Sequence, residues 1–157
     1  MTLQIGQSAP DFTLFATDKK EVSLSGFKGQ NVLLLFFPLA FTSVCTVELC
    51  AVRDNLKMYE EFEAQPIGIS VDSLYTLAKY REEQHLNFPL LSDFNKEVST
   101  NYGALYEQFG FGMRGVSKRA AFLIDNEGII QYAEVLDNAG LQPDFQVIRE
   151  TLTRLKV

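Results

Sequence analysis

Two cysteines, Cys45 and Cys50, carry the side chains best suited to covalent chemistry in this 157-residue sequence. Cys45 follows an apolar run, residues 32–37, and comes after Pro38, where the strand-like pattern gives way to a helix-like one. At a helix N-terminus, unpaired backbone N–H groups and the positive end of the macrodipole favour an anion. We therefore expect the Cys45 thiol to ionise readily and to act as a nucleophile.

Neighbouring side chains can assist such a thiolate. Thr42 can place its hydroxyl beside the sulfur in the same turn, and Thr42 or Ser43 also suits the N-cap position. Ionisation alone gains little rate, because the nucleophilicity of a thiolate falls as its thiol becomes more acidic. A fast reaction needs groups that align the attacked bond and stabilise charge on the leaving atom. A hydroxyl and a guanidinium would suffice; the local segment supplies only the hydroxyl, and an arginine on a neighbouring strand can face both the sulfur and the hydroxyl.

The spacing Pro38-x-x-x-Thr42-x-x-Cys45 resembles the active-site signature of the peroxiredoxins at every fixed position. Peroxiredoxins are thiol peroxidases with a thioredoxin-like α/β fold. The resemblance implies reduction of hydrogen peroxide, organic hydroperoxides or peroxynitrite, in which the Cys45 thiolate becomes a sulfenic acid. It covers nearly the whole chain, through the segments 6–12, 88–93 and 119–125.

The resemblance also implies roles for three further residues. Arg119 corresponds to the active-site arginine, Pro38 to the residue that shields the thiolate, and Glu48 to the acid that orients the arginine. Taken alone, Glu48 also suits an acid near the start of a helix, and Thr42 suits a simple N-cap. No organic cofactor or metal is implied, and two cysteines with one distant histidine cannot supply the four ligands of a typical zinc site.

Cys50 leaves two catalytic cycles open. The Pro38–Thr42 segment looks like the AhpE-like subgroup, whereas the Cys45–Cys50 segment looks like the bacterioferritin-comigratory (Q) type, in which the second cysteine resolves the sulfenic acid. On an intact helix, residues five apart have Cα atoms roughly 8.6 Å apart, and disulfides rarely exceed about 7 Å. Resolution by Cys50 therefore requires the helix start to unwind. If it does not unwind, Cys50 is core packing and an external thiol reduces the sulfenic acid directly.

Three further classes of thiol protein compete for the same residues. Cys45 followed by threonine rather than proline, with no cysteine-bearing extension after Val157, argues against the intersubunit disulfide of typical two-cysteine peroxiredoxins. A module that senses oxidants without turnover is a second hypothesis. A dithiol oxidoreductase would have C-x-x-C spacing, but here four residues intervene. As partners we expect a hydroperoxide, an external thiol reductant such as thioredoxin or a glutaredoxin-like protein, and either a monomer or a homodimer.

The elements that must position these residues follow from apolar patterning. Residues 32–37 form a continuous apolar run, typical of a central strand covered on both faces. Residues 45–62 have a period of three to four and predict a helix. A βαβαβ unit, a β-hairpin, a terminal helix and one helix that breaks into a loop complete the prediction. Their ranges are 66–71, 74–84 and 88–91 for the unit, 119–125 and 129–135 for the hairpin, 144–155 for the terminal helix and 102–116 for the broken helix.

This alternation predicts an α/β, thioredoxin-like central sheet with helices on both faces. No repeat or linker divides the sequence, so we expect a single domain over residues 1–157. The net charge of −6 and the scattered Lys and Arg argue against nucleic acid as a partner. The N-terminus lacks the charged and apolar regions of a leader, and residues 32–41 are too short for a membrane span. We therefore expect a soluble, cytoplasmic protein that does not bind membranes.

Overall fold

A mixed seven-stranded sheet organises the protein, whose computed structural model describes residues 3–156. The strand order is β2-β1-β5-β4-β3-β6-β7. The strands are β1 (Thr13–Ala16), β2 (Glu21–Ser23), β3 (Asn31–Phe36), β4 (Ala64–Ser70), β5 (Leu90–Ser92), β6 (Arg119–Ile124) and β7 (Ile130–Leu136). The helices of the described residues are α1 (Ser43–Asp54), α2 (Leu56–Glu61), α3 (Leu74–Glu83), α4 (Glu97–Asn101) and α5 (Phe145–Leu155).

The central strand β3 explains why its sequence is continuously apolar. Successive side chains of a strand point to opposite faces of the sheet, and both faces are covered here. Leu33 and Leu35 belong to one buried cluster, whereas Val32 and Leu34 belong to the cluster on the other face. The strand therefore contributes to both halves of the core and forms a rigid base for the segment that follows it.

The predicted βαβαβ unit and hairpin are confirmed. β3 pairs in parallel with β4, and β4 pairs in parallel with β5, with α1, α2 and α3 in the connections. β6 and β7 are antiparallel neighbours joined by the turn that contains Gly128. Gly128 has a φ of +85°, which favours glycine. The predicted α/β sheet with helices on both faces is confirmed. The helices are unequally divided between the faces: α1, α2, α3 and α5 contribute to the cluster on one face, and α4 contributes to the cluster on the other.

Two element predictions are wrong in detail. The single helix over 45–62 is interrupted at Asn55, whose φ of −112° and ψ of 16° separate α1 from α2. The Asn55 side chain donates to the carbonyl of Ala51 and so satisfies the end of α1. The expected helix over 102–116 is absent from the described residues. The helix α4 stops at Asn101, before this range, and only a short 3-10 turn at Gly110–Gly112 lies within it. No helix within residues 3–156 has the length and apolar character that crossing a bilayer requires.

Candidate active site

The segment between β3 and α1 places Cys45 near the C-terminal end of the central strand β3. Pro38 is buried directly after β3, and Phe41 adopts a left-handed φ of +67° that turns the chain. Thr42 is extended and occupies the N-cap position, so that Cys45 lies in the first turn of α1. The Cys45 side chain is buried, with a relative exposure of 1%. The chain reversal therefore buries the sulfur at the N-terminal end of a twelve-residue helix.

Arg119 reaches the same place from the neighbouring strand. β6 runs antiparallel to β3 with Ala120 opposite Phe36, so the first residue of β6 lies beside the point where β3 ends. The Arg119 Nη2 atom donates to the Cys45 Sγ atom at 3.3 Å. Arg119 is 1% exposed, so this contact is shielded from water. A fixed positive charge thus lies against the sulfur, although 74 residues separate the two in sequence.

Two acceptors fix the orientation of the Arg119 guanidinium. Its Nη1 atom donates to Glu48 Oε1 at 2.8 Å, and Glu48 is fully buried on α1, three residues after Cys45. Its Nε and Nη2 atoms donate to the carbonyl of Ala139 at 3.2 and 2.8 Å. Because three nitrogens are held by two separate groups, the guanidinium plane has little freedom to rotate.

Burial and charge shift the ionisation of this pair. Burial raises the pKa of Glu48 to about 7, although the charge and hydrogen bond of Arg119 act in the opposite direction. The second oxygen of Glu48, Oε2, has no hydrogen-bond partner within the described residues. Burial alone would lower the pKa of Arg119, but Glu48 and Cys45 outweigh it and the pKa lies above its ordinary value. Arg119 therefore remains a cation while Glu48 titrates near neutrality.

Thr42 lies where the sequence predicts but makes a different contact. Its hydroxyl donates to the carbonyl of Leu39 at 2.7 Å, within the loop, and makes no side-chain cap to the first turn of α1. The expectation that Thr42 or Ser43 is the N-cap is confirmed for Thr42, which holds that position through its backbone alone. The Cys45 sulfur instead accepts a hydrogen bond from Arg119 Nη2. The Thr42 side chain is exposed, so a ligand above the sulfur could still reach its hydroxyl.

Cys50 lies on the same unbroken helix as Cys45. Both cysteines are free, and Cys50 is half-buried. The Cys50 sulfur donates a weak hydrogen bond to Gln84 Oε1 at 3.7 Å. In this reduced, fully helical state the two thiols are not joined, as the geometry of an intact helix requires.

Further polar residues complete the surroundings. Arg53 and Asp54 form an ion pair, with 2.9 Å between Nε and Oδ1. Sequence reasoning missed the Ala139 carbonyl, because a backbone acceptor in a loop has no residue-type signal. Within residues 3–156, no group of three or more His, Cys, Asp or Glu side chains has the arrangement of a metal site.

Comparison with known proteins identifies the family in which this arrangement of residues occurs. Residues 5–133, most of the chain, match the AhpC/TSA family. The chain belongs to this family. It is a peroxiredoxin, a thiol-dependent peroxidase, as the sequence predicts.

Relatives and solved structures agree with the assignment. Alkyl hydroperoxide reductase E of Mycobacterium tuberculosis is 41% identical over 136 residues, covering 85% of this chain and 86% of that protein. The crystal structure of the peroxidoxin BcpB from the same organism superposes with a TM-score of 0.85 at 28% identity, covering 98% of each chain. The reduced 2-Cys peroxiredoxin of Plasmodium vivax gives 0.83 at 32% identity, covering 96% of this chain and 81% of the other. The thioredoxin-like fold of this peroxiredoxin is therefore confirmed.

Proposed function

We propose that the Cys45 thiolate attacks the terminal oxygen of a hydroperoxide while Arg119 stabilises the charge that develops. The observation that carries this proposal is the 3.3 Å contact between Arg119 Nη2 and Cys45 Sγ, held in place by Glu48 and Ala139. A preoriented guanidinium needs little reorganisation when charge moves from sulfur to oxygen. Thr42 supplies a hydroxyl to the peroxide once its side chain turns away from Leu39, and buried Pro38 keeps water from the sulfur.

The first step oxidises sulfur by two electrons. A bond forms between Cys45 Sγ and the attacked oxygen and the O–O bond breaks. The leaving group departs as water from hydrogen peroxide and as an alcohol from an organic hydroperoxide, after taking up a proton, and as nitrite from peroxynitrite. Cys45 is left as a sulfenic acid. Hydrogen peroxide, organic hydroperoxides and peroxynitrite all contain the bond that this step requires.

We infer that Cys50 then attacks the sulfenic sulfur, which forms a Cys45–Cys50 disulfide and releases water. The start of α1 must unwind for this step, because the helix keeps the cysteines too far apart. An external dithiol, such as thioredoxin or a glutaredoxin-like protein, reduces the disulfide by exchange. Such reductants are maintained in reducing compartments, so the proposed cycle suits the cytoplasm.

One observation favours a one-cysteine cycle as the second candidate. Cys50 packs against the cluster around α1 and is hydrogen-bonded to Gln84, so a well-packed helix would keep it out of the reaction. An external thiol would then reduce the sulfenic acid directly. A module that senses oxidants would share the first step but would not consume peroxide continuously.

We further propose that the cycle needs only this one domain, residues 1–157, acting as a monomer or a homodimer without nucleic acid, membrane, cofactor or metal. Residues 1, 2 and 157 of that range lie outside the described residues. The two cysteines both pack in the cluster on one face of the sheet.

Peroxide turnover by the wild type, Cys45→Ser and Cys50→Ser, with a panel of thiol donors, tests this function. We expect Cys45→Ser to lose all turnover, and Cys50→Ser to react once and accumulate a sulfenic acid. Intact mass and thiol titration after a single equivalent of peroxide should show a loss of both thiols in the wild type.

Two different results would point to the competing cycles. A stable sulfenic acid with an intact Cys50 thiol in the wild type would establish the one-cysteine cycle. A single reaction without sustained peroxide consumption by any donor would instead indicate a sensor.

A further inference from the structure

Two side chains outside the catalytic group hold the segment that carries Cys45. The first is Asp72, just after β4. Its Oδ2 atom accepts the backbone N–H of Ala40 at 2.8 Å and the hydroxyl of Ser70 at 2.7 Å. The carbonyl of Asp72 also accepts the hydroxyl of Ser92 at 2.6 Å, which fixes Asp72 to the end of β5. The loop after β3 is thereby attached to the ends of two neighbouring strands.

The second is Tyr80, a buried residue of α3. Its hydroxyl lies 2.8 Å from Thr46 Oγ1, and Thr46 Oγ1 donates its single proton to the carbonyl of Thr42 at 2.8 Å. Tyr80 is therefore the donor to Thr46. Burial raises the pKa of Tyr80 to about 12, which keeps this donor protonated at physiological pH. The chain of hydrogen bonds from Tyr80 through Thr46 to Thr42 fixes the first turn of α1 from the side of α3.

We propose that Asp72 and Tyr80 are positioning residues that hold residues 40–46 in the peroxide-reactive conformation and thereby limit how often α1 opens for resolution. This proposal rests on the proposed two-cysteine cycle. In the closed state, Cys45 contacts Arg119 and reacts with peroxide. In the open state the contacts of Ala40 and Thr46 are broken, and Cys50 can reach the sulfenic acid.

Loosening residues 40–46 should have opposite effects on disulfide formation and on over-oxidation of Cys45. A sulfenic acid that waits in the closed state can meet a second peroxide and become a sulfinic acid. Loss of either contact should therefore speed disulfide formation and reduce sulfinic acid formation. A residue with a purely structural role would lower stability without changing the ratio of the two products.

Tyr80→Phe tests the proposal because it removes only the hydroxyl and keeps the ring that packs against Phe41 at 4.9 Å between centroids. The matched control is Tyr102→Phe, which loses an equivalent hydrogen bond, to the carbonyl of Pro10, in the cluster on the other face of the sheet. One lost hydrogen bond shifts an opening equilibrium roughly fivefold. We expect a rise of that size in the rate of disulfide formation after a peroxide pulse in Tyr80→Phe, with less sulfinic acid at high peroxide. Tyr102→Phe should leave both unchanged.

Asp72 provides a second, independent pair of variants. Asp72→Ala should act like Tyr80→Phe, because it removes the acceptor of the Ala40 N–H. Asp72→Asn keeps an amide oxygen at that place and should restore values close to the wild type. Equal behaviour of the Ala and Asn variants, or of Tyr80→Phe and Tyr102→Phe, would overturn the proposal.

Hydrogen exchange of the reduced proteins separates this proposal from the proposed function, because it needs neither peroxide nor Cys50. We expect backbone amides of residues 41–50 to exchange several-fold faster in Tyr80→Phe than in the wild type or in Tyr102→Phe. Unchanged exchange would overturn the positioning role, even if the variants fold and turn over. Faster exchange without a disulfide in any variant would support the positioning role and contradict the role of Cys50 instead.

Discussion

At the scale of single residues, the buried ion pair of Arg119 and Glu48 is the unusual feature of the site. Glu48 is completely buried and Arg119 nearly so, and Glu48 Oε2 has no partner within the described residues. Burial of a charged pair is costly, and well-packed apolar side chains often stabilise a fold at least as well. The arrangement is best explained by chemistry, because it holds a guanidinium in a fixed orientation against the Cys45 sulfur.

Replacement of Glu48 by glutamine should change how stability depends on pH. Burial raises the pKa of Glu48 from 4.5 to about 7. A carboxyl with a raised pKa favours the folded state while it is protonated, and this contribution is lost as pH rises through the folded pKa. Glu48→Gln stays neutral, so its free energy of unfolding relative to the wild type should rise between about pH 4.5 and 8, by on the order of 3 kcal/mol.

Urea unfolding of both proteins across this range measures the effect. Glu60→Gln, at an exposed position on α2, is the matched control and should show no such trend. Parallel stability curves for Glu48→Gln and the wild type would mean that the folded protein ionises Glu48 at an ordinary pH, with Arg119 dominating over burial.

At the scale of elements, the buried apolar side chains of α1 fix the helix against the core and so hold Cys45 and Glu48 in position. Leu49 is fully buried beside Glu48, whereas Val47 on the same helix is 57% exposed. Leu49→Ala should lower the free energy of unfolding by about 2–5 kcal/mol, because it removes buried apolar atoms and leaves a cavity. Val47→Ala should stay within about 0.5 kcal/mol of the wild type. Urea unfolding at neutral pH provides both values, and equal losses would contradict the packing described for α1.

Sequence patterning predicted the long elements and the short strand β5, and missed three other short ones. The strands β3, β4, β6 and β7 and the helices α3 and α5 lie within a few residues of their predicted ranges. The strands β1 and β2, of four and three residues, are too short to show a period, and so is α4 with five residues. The break at Asn55 went unseen because apolar residues continue at helical spacing on both sides of it.

For the candidate site, the sequence was informative where the contacts are local. Cys45 and Glu48 lie close together because Glu48 is the third residue after Cys45 on one helix. Arg119 could be assigned only through family resemblance, since no local pattern reveals which strand lies beside β3. The rotamer of Thr42, the carbonyl of Ala139 and the contacts of Asp72 depend on tertiary packing, so patterning could not supply them. The catalytic roles of these residues stay predictions until the variants are measured.

At the scale of the whole molecule, the two faces of the sheet should respond differently to oxidation. The cluster that includes Phe36, Phe122 and Tyr102 receives no residue from α1, whereas the opposite cluster includes Cys45 and Leu49. Unwinding of the start of α1 therefore disturbs one half of the core and leaves the central strands paired. Hydrogen exchange should thus increase in α1 and remain slow in β3 and β6.

The oxidised protein should accordingly be less stable than the reduced protein. Closing a loop of about six residues by a disulfide stabilises by about 2 kcal/mol. Against this, unwinding displaces Leu49, at about 2–5 kcal/mol, and separates Glu48 from Arg119, at about 3–5 kcal/mol. A net loss of about 3 kcal/mol or more corresponds to a Tm roughly 6–12 °C lower. Thermal unfolding of the disulfide form and the reduced form, each verified by intact mass, measures the difference, with Cys50→Ser treated identically as the control. An oxidised protein with a verified Cys45–Cys50 bond and an unchanged or higher Tm would mean that α1 accommodates the disulfide without losing its packing.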